Sequence, residues 1–160
     1  METVLAVRDN AQFAALLVLA AWALWQGGGP ERGVALTLLT MEFVDRINHL
    51  VFGAAAYLDR LDIGHAAIDA FACAAFVAIG LKANRMYTLW IAALQVIALN
   101  AHIVREFAEG VSPLAYAIMY IGPSYFQLLL LGLGIWHHVR RRNIFGNYRA
   151  WRNSPAQLAS

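Results

Sequence analysis

Five apolar stretches alternate with short polar segments along this chain. They cover residues 10–29, 33–57, 64–81, 87–104 and 113–136. Each stretch is close to the roughly 20 residues that an α-helix needs to cross a lipid bilayer. Glycine, proline and charged residues mark the breaks between them, as turns and helix ends require. The pattern predicts an all-α fold, an integral membrane helical bundle of about five transmembrane helices.

The amino-acid composition favours the same class. Hydrophobic residues make up 61% of the chain and charged residues 14%, whereas soluble domains average about 45–50% and about 25%. A bilayer solvates so much apolar surface directly. Cys73 is the only cysteine, so the chain has neither an intrachain disulfide nor a cysteine-based metal motif.

The distribution of lysine and arginine predicts the orientation of the bundle. With five spans and the C-terminus inside, eight of these residues fall on the inner side and three on the outer side, while Arg46 lies within a span. This bias agrees with the positive-inside rule. We therefore predict an N-terminus outside, a transmembrane bundle over residues 1–142 and a basic cytoplasmic tail over residues 143–160. Placing segment 33–57 at the interface instead leaves four spans and a poorer fit to the rule.

A stripe of charged side chains interrupts the second apolar stretch. Its members have the i, i+3, i+4, i+7 spacing of one helix face: Glu42, Asp45, Arg46 and His49. One charge at the centre of a membrane helix costs roughly 2.5–3.5 kcal/mol. Other helices must therefore shield the stripe, or the segment lies at the membrane interface. Gln95 extends this lining from the fourth stretch, which completes a predicted intramembrane polar cluster.

Three histidines fall on the outer side of the predicted bundle, and each has a carboxylate four residues away. The pairs are Asp45/His49, His65/Asp69 and His102/Glu106. Imidazole nitrogens and carboxylate oxygens suit Zn²⁺, Mn²⁺ or Fe²⁺, and two facing imidazoles suit haem. These six residues are the candidate metal ligands, with a transition metal or haem as the candidate cofactor. The first interpretation of these residues is a purely structural polar cluster, and a metal or haem site and a proton or ion pathway are the two alternatives.

Several short motifs resemble a group of small multi-span bacterial inner-membrane proteins to which no function is assigned. The matching residues are Gly29-Pro30-Glu31-Arg32, Gly64-His65-Ala66-Ala67-Ile68-Asp69, Leu89-Trp90 through Ala101-His102, and Ala115-Tyr116-Ala117 with Ser124-Tyr125. The resemblance implies a helical protein of the bacterial inner membrane. The charged stripe of the second stretch is a departure from that group.

No catalytic signature, such as a nucleophile elbow or a His-Glu-x-x-His motif, occurs in the sequence, which favours a non-enzymatic role. We first expect an accessory or structural membrane subunit that associates with itself or with other membrane proteins through alanine- and glycine-rich helix faces. One alternative is a metal- or haem-binding membrane protein that uses His49, His65 and His102. Another is a small channel or proton-coupled transporter that uses Glu42, Asp45 and Asp69. The expected partners are lipid and other membrane subunits, not nucleic acid.

Overall fold

Five α-helices account for nearly all of the described chain. The computed structural model describes residues 2–52, 63–107, 113–146 and 148–152. Within those residues the helices are α1 (Glu2–Gln26), α2 (Gly29–Phe52), α3 (Ile63–Lys82), α4 (Met86–Phe107) and α5 (Pro113–Phe145), with no β-strand. The predicted all-α class and the number of helices are confirmed. The predicted end of the second helix near residue 57 lies outside the described residues.

The start of α2 differs from the prediction. Gly29, the last residue of the glycine run at residues 27–29, already belongs to this helix. Glu31, in the first turn, reaches back so that its Oε2 accepts a hydrogen bond from the Gly28 backbone N–H at 3.0 Å. This is one half of a capping box. Pro30 is tolerated there, since an N–H in the first helical turn has no partner within the helix. The helix therefore starts at Gly29, one turn earlier than predicted.

The C-terminal helix also extends beyond its predicted apolar stretch. α5 continues past Trp136 through the arginine-rich segment and includes Pro123 within its length. It ends at Gly146, which has a φ of 68° and whose N–H bonds to the Arg142 carbonyl at 2.9 Å. A left-handed glycine just after the last turn is a common helix stop. The first three residues of the predicted tail, 143–145, are thus helical.

The helices form a closed ring in which sequence neighbours run antiparallel and α1 and α5 run parallel. Each packs against its neighbours in the sequence, α1 also packs against α5, and α2 contacts α5 across the ring. Alternation of direction brings the C-terminal parts of α2 and α4 together at one end, which we call the cavity end, around His49, His65 and His102. The other end, around Glu31, Arg85 and His138, is called the basic end.

An apolar core fills the bundle between these two ends. Its largest fully buried side chains are Phe76, Ile91, Leu131 and Ile135, and many of its other members are alanines. Small residues let membrane helices approach closely. Gly134 shows how close this approach is, because a Cβ built on it would lie 2.6 Å from the Tyr87 ring.

Large apolar side chains remain exposed on the outside of every helix. Examples are Val18, Leu36, Phe71, Trp90 and Phe126. Among the described residues, one helix, Gly64–Lys82, is long and apolar enough to cross a membrane, and Met86–His102 is a shorter apolar helix. The five predicted helices are therefore present, while the apolar length expected of a span is met by α3 alone.

Candidate metal centre

A cavity of about 680 Å³ opens at the cavity end of the bundle. This volume lies within the range of small-molecule sites, roughly 300–1,000 Å³. All five helices contribute polar side chains to its wall, which include Arg8, Asp9, Gln12, Glu42, Asp45, Arg46, His49, His65, Asp69, Gln95, Ser124 and Gln127. Four of these are carboxylates and two are guanidinium groups. With neutral histidines, the wall therefore carries a net charge of about two negative units.

The charged stripe of α2 forms one side of this cavity. Arg46 Nε donates to Glu42 Oε1 at 2.9 Å, one helical turn away. The Arg46 guanidinium also lies 4.1 Å from the centre of the Phe13 ring on α1, in the geometry of a cation–π contact. The neighbouring helices therefore cover the stripe in part, and its side chains keep exposures of 30–44%.

Asp45 brings together two histidines from different helices. Its Oδ1 lies 2.5 Å from His65 Nε2 on α3, and its Oδ2 lies 3.4 Å from His49 Nε2 on α2. The two imidazole rings meet edge to face with their centroids 5.1 Å apart. One ligand atom from each of the three residues fits within a set whose members are all within 4.8 Å of one another. We refer to Asp45, His49 and His65 as the triad.

The triad differs in exposure from one member to the next. The side chain of His65 is 8% exposed, that of Asp45 30% and that of His49 44%. The triad thus runs from the protein interior to the cavity mouth. Two imidazole nitrogens and one carboxylate oxygen form a mixed ligand set that suits zinc and related divalent ions. Three protein ligands around a tetrahedral ion leave one position for water or another ligand.

A second polar group lies one turn further along α3, which by helix geometry is about 6 Å from His65. Asp69 Oδ2 lies 2.8 Å from His102 Nε2, and Asp69 Oδ1 accepts from Gln95 Nε2 at 2.8 Å. Gln127 Nε2 in turn donates to Gln95 Oε1 at 2.8 Å. We call this group the inner relay. All four side chains are buried, and these hydrogen bonds satisfy their polar atoms.

Five of the six predicted ligands therefore fall into two groups. The pairing of Asp45 with His49 within α2 is present. Contacts between helices, which helical spacing does not reveal, join His65 to Asp45 and His102 to Asp69. The prediction placed all three histidines around one ion. The structure groups two of them with one carboxylate in the triad. The side chain of Glu106 lies outside the described residues.

Sequence reasoning missed five polar members of the cavity wall: Arg8, Asp9, Gln12, Ser124 and Gln127. Gln127 is a single buried amide in an otherwise apolar segment, and that isolation was the available signal. Ser124 donates to the Ile121 carbonyl at 2.7 Å, as its expected turn-like role requires, and also accepts a hydrogen bond from Gln12 Nε2 at 3.1 Å. The second contact links α5 to α1 across the cavity.

The basic end holds a separate buried cluster that the sequence did not predict. Glu31 is fully buried, and its Oε1 accepts from Arg85 Nε at 3.2 Å. Arg85 Nη2 lies 3.3 Å from His138 Nδ1, and the Tyr148 hydroxyl lies 2.9 Å from the same nitrogen. Adjacent histidines beside arginines are typical of a solvated helix end, but His138 is buried, with 8% exposure. Helix rotation points it inward while His137 remains outside.

Burial and neighbouring charges in this cluster shift the pKa of His138. Burial lowers the pKa of His138 below its ordinary value; the nearby Glu31 carboxylate opposes this effect, and the Arg85, Arg142 and Arg32 guanidinium groups add to it. Arginine can only donate, so Nδ1 of His138 is the acceptor in its contact with Arg85. The Tyr148 hydroxyl then donates to the same nitrogen. Neutral His138 therefore suits this cluster.

The chain after α5 folds back over the basic end. The Asn84 N–H bonds to the Ala150 carbonyl at 3.0 Å, and the Arg152 N–H bonds to the Lys82 carbonyl at 2.9 Å. These bonds frame an isolated antiparallel bridge between Ala83 and Trp151.

Comparisons with known protein families, with curated proteins and with solved structures give no match for this chain. Its function is therefore inferred from the geometry of its two polar ends.

Proposed function

We propose that this chain is a multi-pass membrane protein that binds one divalent transition-metal ion, of the zinc class, at the triad of Asp45, His49 and His65. The observation that carries the proposal is the convergence of these three ligands from two helices to within 4.8 Å at the wall of a cavity.

Support for the membrane comes from the reversal of the usual burial pattern. Large apolar side chains face outward on all five helices, whereas Asp69, His102 and Glu31 are buried. In water this arrangement is costly, but in a bilayer the apolar exterior is solvated and the ionisable groups turn toward the bundle interior. The cations gathered at the basic end favour placing that end in the cytoplasm. The resemblance to inner-membrane proteins favours the bacterial inner membrane.

Support for a metal comes from distance and from charge. Two ligands at about 2.0–2.1 Å from a tetrahedral zinc ion are roughly 3.3 Å apart. The triad atoms, within 4.8 Å of one another, reach that spacing through small side-chain rotations. The surplus of two carboxylates over guanidinium groups in the cavity wall matches the charge of a divalent ion.

The other functions expected from the sequence have less support. Haem would need a porphyrin plane between its two axial imidazoles, but the rings of His49 and His65 are in direct edge-to-face contact. A conduction pathway would need polar groups through the bundle, whereas Phe76, Leu131 and Ile135 fill it beyond the inner relay. An accessory role in a larger membrane assembly stays a prediction that is compatible with metal binding.

Zinc titration of the full chain tests the proposal. The protein is purified in detergent, stripped with a chelator and titrated by calorimetry. We expect one ion per chain, and a loss of affinity of at least about 10-fold in Asp45→Asn and His65→Gln. His137→Gln and Asp9→Asn are matched controls, because His137 is an exposed histidine outside the triad and Asp9 is a carboxylate at the cavity rim. Absence of binding, or equal losses in variants and controls, would contradict the proposal.

A further inference from the structure

The basic end carries a large excess of positive charge. Seven exposed cations of the described chain lie there: Arg32, Lys82, Arg140, Arg141, Arg142, Arg149 and Arg152. Among the described residues of this end the only carboxylate is Glu31, which is fully buried and accepts from Arg85. The exposed cations therefore have no carboxylate beside them within the described part of this end, and the surface presents a concentrated positive field.

Two of the guanidinium groups at this end are held by the same aromatic ring. Arg85 lies 4.4 Å and Arg141 4.5 Å from the centre of the Tyr148 ring. Stacking of this kind orients the planar guanidinium and leaves its N–H groups to bond an anion. The position of Tyr148 is fixed in turn by His138. Arg85 of this pair is already bonded to Glu31, to His138 and to two backbone carbonyls. Arg141 is exposed, so it is the member of the pair that is open to a phosphate group.

The level of this pair along the bundle is marked by exposed indole rings. Trp25 on α1, Trp90 on α4 and Trp136 on α5 are all exposed on the outer surface near the basic end. Indoles favour the headgroup level of a membrane. In the proposed membrane placement, the guanidinium groups of Arg85 and Arg141 would therefore lie close to the lipid phosphates.

We propose that the basic end binds the phosphate-bearing headgroups of anionic phospholipids, with Arg141, held against the Tyr148 ring, contacting one headgroup. This inference rests on the membrane placement proposed above and not on the metal centre. Free phosphate or a nucleic acid would satisfy the arginines equally well. Neither would use the exposed apolar surface of Trp90 and Trp136 at this end of the bundle, and lipid acyl chains would.

Native mass spectrometry of the full chain in detergent tests the proposal, with phosphatidylglycerol and phosphatidylcholine added in equal amounts. We expect phosphatidylglycerol to bind several-fold better. An arginine near an anionic headgroup contributes about 1 kcal/mol, so Arg141→Gln should lower the apparent affinity about fivefold. Tyr148→Ala should lower it similarly, while Tyr148→Phe, which keeps the ring, should stay within about twofold of the parent chain.

Arg8→Gln serves as the matched control, since Arg8 is a partly exposed arginine at the opposite end of the bundle. It should leave the lipid preference unchanged. Equal binding of the two lipids, or equal losses in Arg141→Gln and Arg8→Gln, would overturn the proposal. Displacement of phosphatidylglycerol by an equal concentration of inorganic phosphate, or of a short RNA, would also overturn it. Since zinc plays no part in this measurement, its failure leaves the metal proposal standing, and failure of the zinc titration leaves this one standing.

Discussion

The two ends of the bundle both bring ionisable groups together, but they do so in opposite ways. At the basic end, the carboxylate of Glu31 is fully buried between the Gly28 N–H and Arg85. At the cavity end, the carboxylate of Asp45 is partly exposed and faces two imidazoles on the wall of an open cavity. Glu31 therefore has the surroundings of a structural residue and Asp45 those of a ligand-binding residue.

Substitutions at the two ends should therefore affect different properties. Those at the basic end should lower the stability of the fold, and those at the cavity end should lower metal affinity. Removing one partner of a buried ion pair is strongly destabilising because the other charge is left without compensation. Removing a partly exposed carboxylate at a cavity affects the fold much less. The predictions below set one end against the other, beginning with the largest expected effect.

Glu31→Ala should give the largest loss of stability. It leaves Arg85, whose side chain is 9% exposed, without its carboxylate and removes the cap of α2. We expect a loss of about 3–5 kcal/mol, measured as the free energy of unfolding in detergent. Asp45→Asn should cost less than about 1 kcal/mol while reducing zinc affinity. Equal losses of stability in the two variants would contradict the distinction between the ends.

Asp69→Ala should have an intermediate effect. The variant removes the acceptor of hydrogen bonds from Gln95 and His102 in a buried setting, which costs about 1–3 kcal/mol. Zinc affinity should fall less than in Asp45→Asn, because Asp69 belongs to the inner relay and not to the triad. A larger loss of zinc affinity in Asp69→Ala than in Asp45→Asn would indicate that Asp69, and not Asp45, is the carboxylate ligand.

Stability should also fall in mild acid because of His138. Burial keeps the pKa of this imidazole below its unfolded value of about 6.5. The unfolded chain therefore binds a proton more readily, and stability is lost as the pH falls below that value. In the folded protein, a proton on Nδ1 would also displace the bonds from Arg85 and Tyr148. Thermal unfolding at several pH values should show a weaker slope in His138→Gln than in His137→Gln, and identical slopes would refute this account.

Glu42→Gln should have the smallest effect of all. The ion pair of Glu42 with Arg46 is partly exposed, with side-chain exposures of 30% and 38%, and such pairs contribute about 0–1 kcal/mol. We expect little change in the free energy of unfolding and a zinc affinity within a few-fold of the parent chain. A loss of zinc affinity as large as that of Asp45→Asn would indicate that Glu42 also belongs to the metal site.

The sequence was sufficient for the features that depend on local spacing. Apolar runs predicted five helices, and the four-residue spacing predicted the contact of Asp45 with His49. Contacts between helices depend on how the helices are rotated and shifted against one another, which spacing does not encode. The approach of His65 to Asp45, the inner relay from Asp69 to Gln127, and the bond from Arg85 to Glu31 all belong to this second kind.

The folding of the chain end over the basic end could not be predicted for a similar reason. It depends on backbone hydrogen bonds between residues 82–84 and 150–152, and almost any sequence offers such groups. The basic composition of the tail indicated an orientation in the membrane, but it did not indicate that Tyr148 would lie between His138 and two arginines.

X-ray absorption spectroscopy of the zinc-loaded protein tests the central claim most directly, because it counts the imidazole ligands of the metal. We expect two imidazoles with oxygen ligands in the parent chain, and one imidazole fewer in His65→Gln. His102→Gln should keep both imidazoles, since His102 lies in the inner relay. A spectrum without imidazole scattering, or one that His65→Gln leaves unchanged, would contradict a metal centre at Asp45, His49 and His65.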